Sequence, residues 1–508
     1  MGQSDSNVLS DMVAELVAAH PTMGLAAVVV RPEQPPQFAC YGRSQEFPPR
    51  SIDPETVFRI ASITKTFTAI AIVQLAEQGL LNLDDPAQNH LRQLHIHSDG
   101  FSAPTLRHLL THTAGLAELA RPWYGLLPDF GESRPLDQPL PSLTDFYGGQ
   151  VKVHAEPGTR FVYTNHAPAI LGQVVADVSG LTLADYLHQH VFAPLGMADT
   201  TLTRSPQVRA ALATGYEIGA HGVTAVTERE MVTAGAASAY STPSDMAKYI
   251  AALLRGGRGP SQAVLAADSL ADMMSAHYQP DPRVPGVGLA FFRHRLGEIE
   301  VVGHQGTHPG FHSQFLLAPS RDVGVAVLCN GTKDADFWLP GAATRILAAA
   351  LDVAPPQIRG DLPLHPEVWS SLCGWYALSA LPTDTRLRGM LGLGVEVCVT
   401  SGQLRLRFLT PIPQLARGFE LLPDAEDDPY VFRADLGLPG MEPLRFVFTH
   451  EAGTVTAIVM EAMPVVLPRR SGMTNPRRWA SAGLAAAALT TAAIIGRRTS
   501  THRRRRIA

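Results

Sequence analysis

Phe58-Arg-Ile-Ala-Ser62-Ile-Thr-Lys65-Thr-Phe-Thr-Ala-Ile-Ala-Ile-Val-Gln-Leu-Ala-Glu77 is the stretch on which the reading of this 508-residue chain turns. From Phe67 to Ala76 it is apolar nearly all round: Phe67, Ala69, Ile70, Ala71, Ile72, Val73, Leu75 and Ala76. A helix of that composition has no face to offer solvent, so it is expected at the centre of a fold. Gly79 is a fitting C-terminal stop for it. At its head stands Ser62, with Lys65 three residues on. On a helix that spacing puts both side chains on one face, a turn apart. A serine hydroxyl is a poor nucleophile until a base takes its proton. Burial disfavours the charged form of a lysine and makes it a usable base. The free N–H groups and dipole at a helix start favour negative charge developing beside the serine. Ser-x-x-Lys is a common tetrapeptide; this one gains weight by opening the most hydrophobic helix in the chain.

Outward from that helix, Met23 to Val30 is a short apolar run ending at Arg31-Pro32, as a strand would. Thr242-Pro-Ser-Asp245 combines an N-cap, a proline at the first helical position and an acid three residues after the cap. Phe315 to Ala318 and Val323 to Leu328 read as two buried strands around the turn Pro319-Ser-Arg-Asp322. Residues 1–355 are therefore expected to form one mixed α/β unit. Pro355, Pro356, Pro363 and Pro366 then exclude a helix or a central strand, and a domain boundary is predicted there. Beyond it the period becomes two. Val395, Val397 and Val399 alternate, then Leu404, Leu406 and Phe408, with Ser401-Gly402 between them as a hairpin turn. Phe446 and Phe448 repeat the pattern. Residues 356–470 are expected to be a small antiparallel β-meander or barrel.

Residues 471–508 form the third segment. Trp479 to Gly496 is Ala-rich and uncharged, between Arg477-Arg478 and Arg497-Arg498, and Arg503 to Arg506 follow. As a helix it spans roughly 27 Å, just short of the ~30 Å hydrocarbon core. Only Trp479, Leu484, Leu489, Ile494 and Ile495 are strongly apolar, so it is a candidate membrane helix of marginal insertion; the alternative is a soluble helix or tail.

Composition narrows the function classes. Hydrophobic residues at 45% and charged residues at 17% suit a globular chain rather than a disordered one. A net charge of −5 gives no electrostatic case for nucleic acid. Cys40, Cys329, Cys373 and Cys398 are far apart, with no Cys-x-x-Cys pair, so free buried thiols are expected rather than a disulfide scaffold or a zinc site. The chain has no His-Glu-x-x-His, no P-loop and no Gly-x-Ser-x-Gly. No metal and no cofactor is expected. Asp5, Asp11 and Glu15 interrupt the N-terminus, which does not read as a signal peptide. A cytoplasmic location is expected unless the 479–496 segment holds the protein to a membrane.

The nucleophile segment Phe58 to Lys65 resembles that of the serine β-lactamase and penicillin-binding-protein superfamily. Leu106-Arg-His-Leu-Leu-Thr-His-Thr-Ala-Gly-Leu116 resembles a segment of its class C-like members, and Pro157-Gly-Thr-Arg-Phe-Val-Tyr163-Thr-Asn165 their second catalytic motif. Ala193-Pro-Leu-Gly-Met197 and Ala234-Gly-Ala-Ala-Ser-Ala239 continue it in family order, over residues 20–335. His108 and His112, four apart as helical metal ligands are, belong to this segment and read as structural. Asp84-Asp85 reads as a loop after the central helix.

The resemblance implies an α+β fold: an antiparallel sheet flanked by helices plus a helical lobe, with the site in the cleft between. The C-terminal all-β unit resembles the lipocalin-like modules appended to some class C relatives. Tyr163, which alone would read as a core aromatic, would share a proton with Lys65 and relay it to the leaving group. Asn165 would hydrogen-bond the lysine or the substrate amide. His304-Gln305-Gly306 stands where relatives carry Lys-Thr-Gly or a variant with His or Trp first. Gly306 would let the backbone approach the substrate, and the N–H groups of Thr307 and Ser62 would form the oxyanion hole. His304 departs from the lysine that anchors β-lactam carboxylates; a neutral imidazole holds a carboxylate more weakly. The alternative is a structural histidine. The function expected is a serine hydrolase that acts through an acyl-enzyme on a small-molecule or peptide substrate: an ester, an amide or a D-amino-acid peptide. A true β-lactamase or D-Ala-D-Ala carboxypeptidase is the alternative. From another class, the alternative is a catalytically silent, membrane-tethered binding protein.

Overall fold

In the computed structural model of the chain, residues 2–378, 392–410, 413–438 and 440–477 are described. The segment 479–496 lies outside them. Among the described residues no single helix is long and apolar enough to cross a membrane.

The apolar run folds as the helix α2 (Thr64–Glu77; α1 precedes it at Gly2–Ala19), and every residue from Thr64 to Leu75 is buried. It runs through the middle of the molecule, as its composition requires. The Phe67 ring stands edge-on to Phe192 and Tyr249, with centroids 5.1 and 4.7 Å away. The helix ends two residues before Gly79, whose φ of +72° lies in the left-handed region.

Beside α2 lies a seven-stranded antiparallel sheet. Its strands are β1 (Gly24–Val30), β2 (Gln37–Gln45), β3 (Arg50–Ser51), β4 (Phe292–Leu296), β5 (Ile299–His308), β6 (Phe311–Ala318) and β7 (Val323–Cys329). The spatial order is β4-β5-β6-β7-β1-β2-β3. Both β1 and β7 are buried at every position. Their side chains have no solvent side because both sheet faces are covered, which is why these runs read as continuously apolar. One face packs on α2 and the helical lobe, including α3 (His166–Ser179) and α4 (Pro243–Leu254). The other packs on α1 and α5 (Ala335–Leu351), where Leu9, Val13 and Leu16 share a cluster with Trp338 and Ile346. At the head of α4 the Thr242 hydroxyl accepts from the Asp245 amide at 3.0 Å, as the cap signal anticipates.

No helix or strand occurs between Leu351 and Trp369. After a short helix, α6 (Trp369–Leu372), come the strands β8 (Gly374–Tyr376), β9 (Val395–Thr400), β10 (Gln403–Phe408), β11 (Phe419–Glu420), β12 (Leu422–Pro423), β13 (Val431–Ala434), β14 (Leu444–Glu451), β15 (Thr454–Met460) and β16 (Val466–Arg470). They form one sheet in the order β11-β10-β9-β8-β16-β15-β14-β13-β12. Its two edge strands are separated by Leu421 alone, so the sheet curls into a nearly closed barrel. Val395, Val397, Leu404, Leu406 and Phe408 fill its interior. Ser401 and Gly402 turn between β9 and β10 with φ of +52° and +76°, the mirror-image turn that suits a two-residue hairpin.

The barrel docks beside the cleft. Its apolar core takes in Phe161 and Val287, and Tyr163, Tyr278 and Phe292 pack against it. Arg283 donates to the Asp428 carboxylate and to the Phe448 carbonyl, each at 3.0 Å. One expectation fails here. Only Cys329 is buried; Cys40 is exposed, and Cys373 and Cys398 are half-buried. Cysteine is small enough to sit on the outer face of a strand, and composition alone does not reveal which face it takes.

Candidate active site

Ser62 does not lie on α2 itself. It occupies a 3₁₀ turn, Ala61–Ile63, that runs straight into the helix. Ala61 has φ +47°, a conformation costly for a residue with a Cβ and held only where surrounding contacts enforce it. The three-residue offset still brings the two functional groups together. Lys65 Nζ donates to Ser62 Oγ at 2.8 Å, to Asn165 Oδ1 at 2.8 Å and to the Ala236 carbonyl at 3.1 Å. Lys65 is 1% exposed, so these oxygens surround a nitrogen cut off from solvent.

Asn165 stands immediately before α3. Its Nδ2 donates to Glu132 Oε2 at 2.6 Å, while its Oδ1 accepts from Lys65. This orientation of the amide is the one the network demands, with donor toward carboxylate and acceptor toward amine. Glu132 is itself buried and also accepts from the Thr233 hydroxyl at 3.4 Å. Sequence reading did not single out Glu132: it lies in a loop with no motif around it, and only the fold brings it to Asn165.

Two residues earlier, the Tyr163 ring faces the lysine, with Nζ 4.9 Å from the ring centroid. Around it lie His112, Phe292 and His304, at centroid distances of 4.6, 6.0 and 6.3 Å. His112 supports this segment through its backbone and its ring. Its carbonyl accepts from the Val162 amide at 2.8 Å, and its Nδ1 accepts from the Thr164 amide at 3.4 Å. His108 acts elsewhere, in the N-terminal cap of Leu106–Leu110 with Thr105. The two histidines thus do separate structural jobs, and His112 does its own against the candidate catalytic tyrosine. Among the described residues no cluster of His, Cys, Asp and Glu could hold a metal ion.

The third motif lies on β5. The β4 strand begins at Phe292, opposite Gly303, so His304 to His308 run beyond it with their outer edge toward the cleft. His304 is 1% exposed. Its Nδ1 is 2.6 Å from the Gln305 carbonyl, which can only accept, so Nδ1 carries the proton and Nε2 the lone pair. Burial, and next the Lys65 amine, lower the His304 pKa to about 3. Gly306 also meets a packing constraint of its own. A Cβ there would stand 2.2 Å from the Ile60 carbonyl and 2.4 Å from Ser313 Oγ. Glycine lets β5 press against the segment that leads into Ser62, and Ser313 Oγ donates to that Ile60 carbonyl at 3.0 Å. Thr307 is exposed, its hydroxyl donating to Asp336 Oδ1 at 2.6 Å, which ties the end of β5 to α5.

Ser62, Glu132, Tyr163, Asn165, His304 and Thr307 all line one cleft of about 860 Å³. Its far wall comes from the barrel, through residues that include Arg445, Glu461 and Met463. Lys65 lies behind Ser62.

The buried imidazoles make stability sensitive to pH. His112 and His308 are also held well below the ordinary imidazole value, chiefly by burial. The unfolded chain protonates these groups near pH ~6.5, and the folded chain does so only much lower. Unfolding therefore takes up protons, and this contribution to stability is lost as pH falls from about 6.5 toward 3. The urea midpoint is expected to drop between about pH 6.5 and pH 5, above the range of ordinary carboxylates, with a shallower slope for His304→Gln. A midpoint flat across that window would contradict this.

The Beta-lactamase family model matches residues 9–350. The chain belongs to the β-lactamase family. This β-lactamase-family chain is 26% identical over 281 residues to protein flp of Staphylococcus aureus (strain MW2), a match covering 54% of the chain and 53% of that protein. The chain thus spans about half the length of that relative. It is also 26% identical over 317 residues to the D-alanyl-D-alanine-carboxypeptidase/endopeptidase AmpH of Escherichia coli (strain K12), covering 60% of the chain and 78% of AmpH. Among solved structures, the octameric penicillin-binding protein homologue from Pyrococcus abyssi aligns with TM-score 0.59 and 22% identity over 92% of the chain and all of its own. The D-amino acid amidase from Ochrobactrum anthropi SV3, complexed with D-phenylalanine, aligns with TM-score 0.54 and 24% identity over 65% of this chain and 92% of that one. At these identities the two structures establish the fold. The first aligns across most of the chain, barrel included, and the second over about two-thirds of it.

Proposed function

We propose that the protein is a serine hydrolase acting through an acyl-enzyme at Ser62, on an ester, amide or D-amino-acid peptide. The observation that carries this reading is the 2.8 Å hydrogen bond from the buried Lys65 amine to Ser62 Oγ at the floor of the cleft. In the proposed reaction Ser62 Oγ attacks the acyl carbon as its proton passes to Lys65 and Tyr163 acting together. The backbone N–H groups of Ser62 and Thr307 receive the developing oxyanion. Tyr163 returns the proton to the leaving group, and water then releases the acyl group by the same route in reverse. Asn165, held by Glu132, fixes the lysine. A silent binding protein would have no chemical need for this whole assembly.

The substrate preference rests on His304. It stands where a lysine would anchor a β-lactam carboxylate, and it is neutral with its lone pair on Nε2. A lone pair repels a carboxylate and accepts from a donor. The relatives' names point the same way, being a D-alanyl-D-alanine carboxypeptidase/endopeptidase and a D-amino acid amidase. Hydrolysis rates across short esters, D-amino-acid amides or peptides and a cephalosporin test this. At least one ester or D-amino-acid substrate should turn over faster than the cephalosporin. A cephalosporin faster than all of them would overturn the reading.

For residues 479–496 we propose membrane association, aided by the flanking arginines and anionic lipid. The support is the length and lack of charge of the segment alone. After low-salt lysis the full chain should sediment with membranes, and a chain ending at Arg470 should not. If both remain in the supernatant, the segment is not an anchor.

A further inference from the structure

We infer that Cys373 and Cys398 form a cross-strand thiol pair on the barrel, poised to close as a disulfide when a small external disulfide reaches them. In the antiparallel pairing of β8 with β9, Gly374 stands opposite Val397, Trp375 opposite Glu396 and Tyr376 opposite Val395. Continued one residue beyond the start of β8, this register places Cys373 opposite Cys398. Val395 and Val397 point into the barrel core, so Cys398 alternates outward with Glu396; Cys373, two residues before Trp375, takes the same side by alternation and, at the strand's start, also touches the edge of the core cluster.

The spacing suits the bond. The Cys373 amide donates to the Trp369 carbonyl at 3.1 Å, not to Cys398. The pair therefore does not exchange two ladder bonds and belongs to the narrower kind, with Cα atoms ~4.5 Å apart. Disulfides span Cα separations of ~4.4–6.8 Å. The sulfur direction agrees, because the Cys373 thiol receives a hydrogen bond from the backbone of Val399, the residue after Cys398. Both side chains are half-buried, reachable by a small reagent, whereas Cys329 is sealed in the core and Cys40 is on a different sheet. Burial raises the pKa of the Cys373 thiol, which keeps it mostly protonated and slows uncatalysed reaction without forbidding it.

The chemistry is thiol–disulfide exchange with a low-molecular-weight disulfide such as oxidised glutathione. One protein thiolate attacks a glutathione sulfur and expels one glutathione thiolate. The second protein thiolate attacks the protein sulfur of the mixed disulfide and expels the other glutathione. Each cysteine sulfur gives up one electron, and the two thiol protons end on the two glutathiones. The bond would staple the first barrel strand to the second and close the loop between them, which stabilises the folded form against the unfolded one.

The test treats the reduced full-length protein with oxidised glutathione, alkylates the remaining thiols and maps the peptides by mass spectrometry. The expected result is a peptide pair linked through Cys373 and Cys398, with Cys329 and Cys40 outside the link. The oxidised protein should melt several degrees higher, and dithiothreitol should reverse this. Cys373→Ser should leave Cys398 as a glutathione adduct, and Cys398→Ser the converse. Wild-type protein in which both remain alkylatable, or each carries its own glutathione, would overturn the inference.

Discussion

Ser62→Ala is expected to lose at least ~10³-fold in kcat while keeping the fold, as nucleophile removals do elsewhere. The substitution deletes one oxygen at the cleft floor and adds no bulk. Lys65 loses the Ser62 hydroxyl as a partner and keeps Asn165 Oδ1 and the Ala236 carbonyl. A lost hydrogen bond of this kind costs about 1 kcal/mol, so the urea midpoint should move little. That separation is what makes the variant informative: activity collapses and stability does not. Steady-state hydrolysis of the best ester or D-amino-acid substrate, run beside urea denaturation, reads both. Turnover within tenfold of wild type would remove Ser62 from the nucleophile's role.

The second large effect is the coupling of Lys65 and Tyr163. The amine lies 4.9 Å from the tyrosine ring centroid and 2.8 Å from the nucleophile. If the two groups hold and pass one proton, removing either disables the same step. Lys65→Ala and Tyr163→Phe should each lower kcat by ~10²–10⁴-fold, and the double variant should be little worse than the more damaging single one. Tyr163→Phe keeps the ring between His112 and Phe292, so its loss would report the hydroxyl. Lys65→Ala leaves buried oxygens without their donor, at about 1–3 kcal/mol, and its stability must be measured alongside. Losses that multiply across the cycle would show two independent roles.

What could be read in the sequence was whatever the chain encodes locally. The α2 run announces its burial because no ring of polar positions interrupts it. Ser62 and Lys65 meet because three residues on a helical path bring them together. The β9–β10 hairpin is written in alternation around Ser401-Gly402. What was hidden depends on contacts between distant segments. Leu9, Val13 and Leu16 carry helical spacing, yet acids between them drew attention to the N-terminus as a non-signal rather than as α1. Glu132 acquires meaning only when Asn165 arrives beside it. The close approach of Gly306 to the Ile60 carbonyl had no sign in the sequence. The pairing of Cys373 with Cys398 exists only in the register of β8 on β9.

The barrel wall of the cleft also had no sequence signal. Arg445, Glu461 and Met463 lie far along the chain from the candidate catalytic motifs and reach the cleft because the barrel packs against Tyr163 and Phe292. The cleft is accordingly walled by both units together.

The most direct test of the central claim is intact-mass spectrometry of the protein quenched in acid within the first turnovers of an activated ester, followed by peptide mapping. One acyl group per chain, on the peptide that contains Ser62 and absent from Ser62→Ala, is the predicted result. An acyl group on any other residue, or ester hydrolysis that survives in Ser62→Ala with no adduct at this peptide, would contradict it.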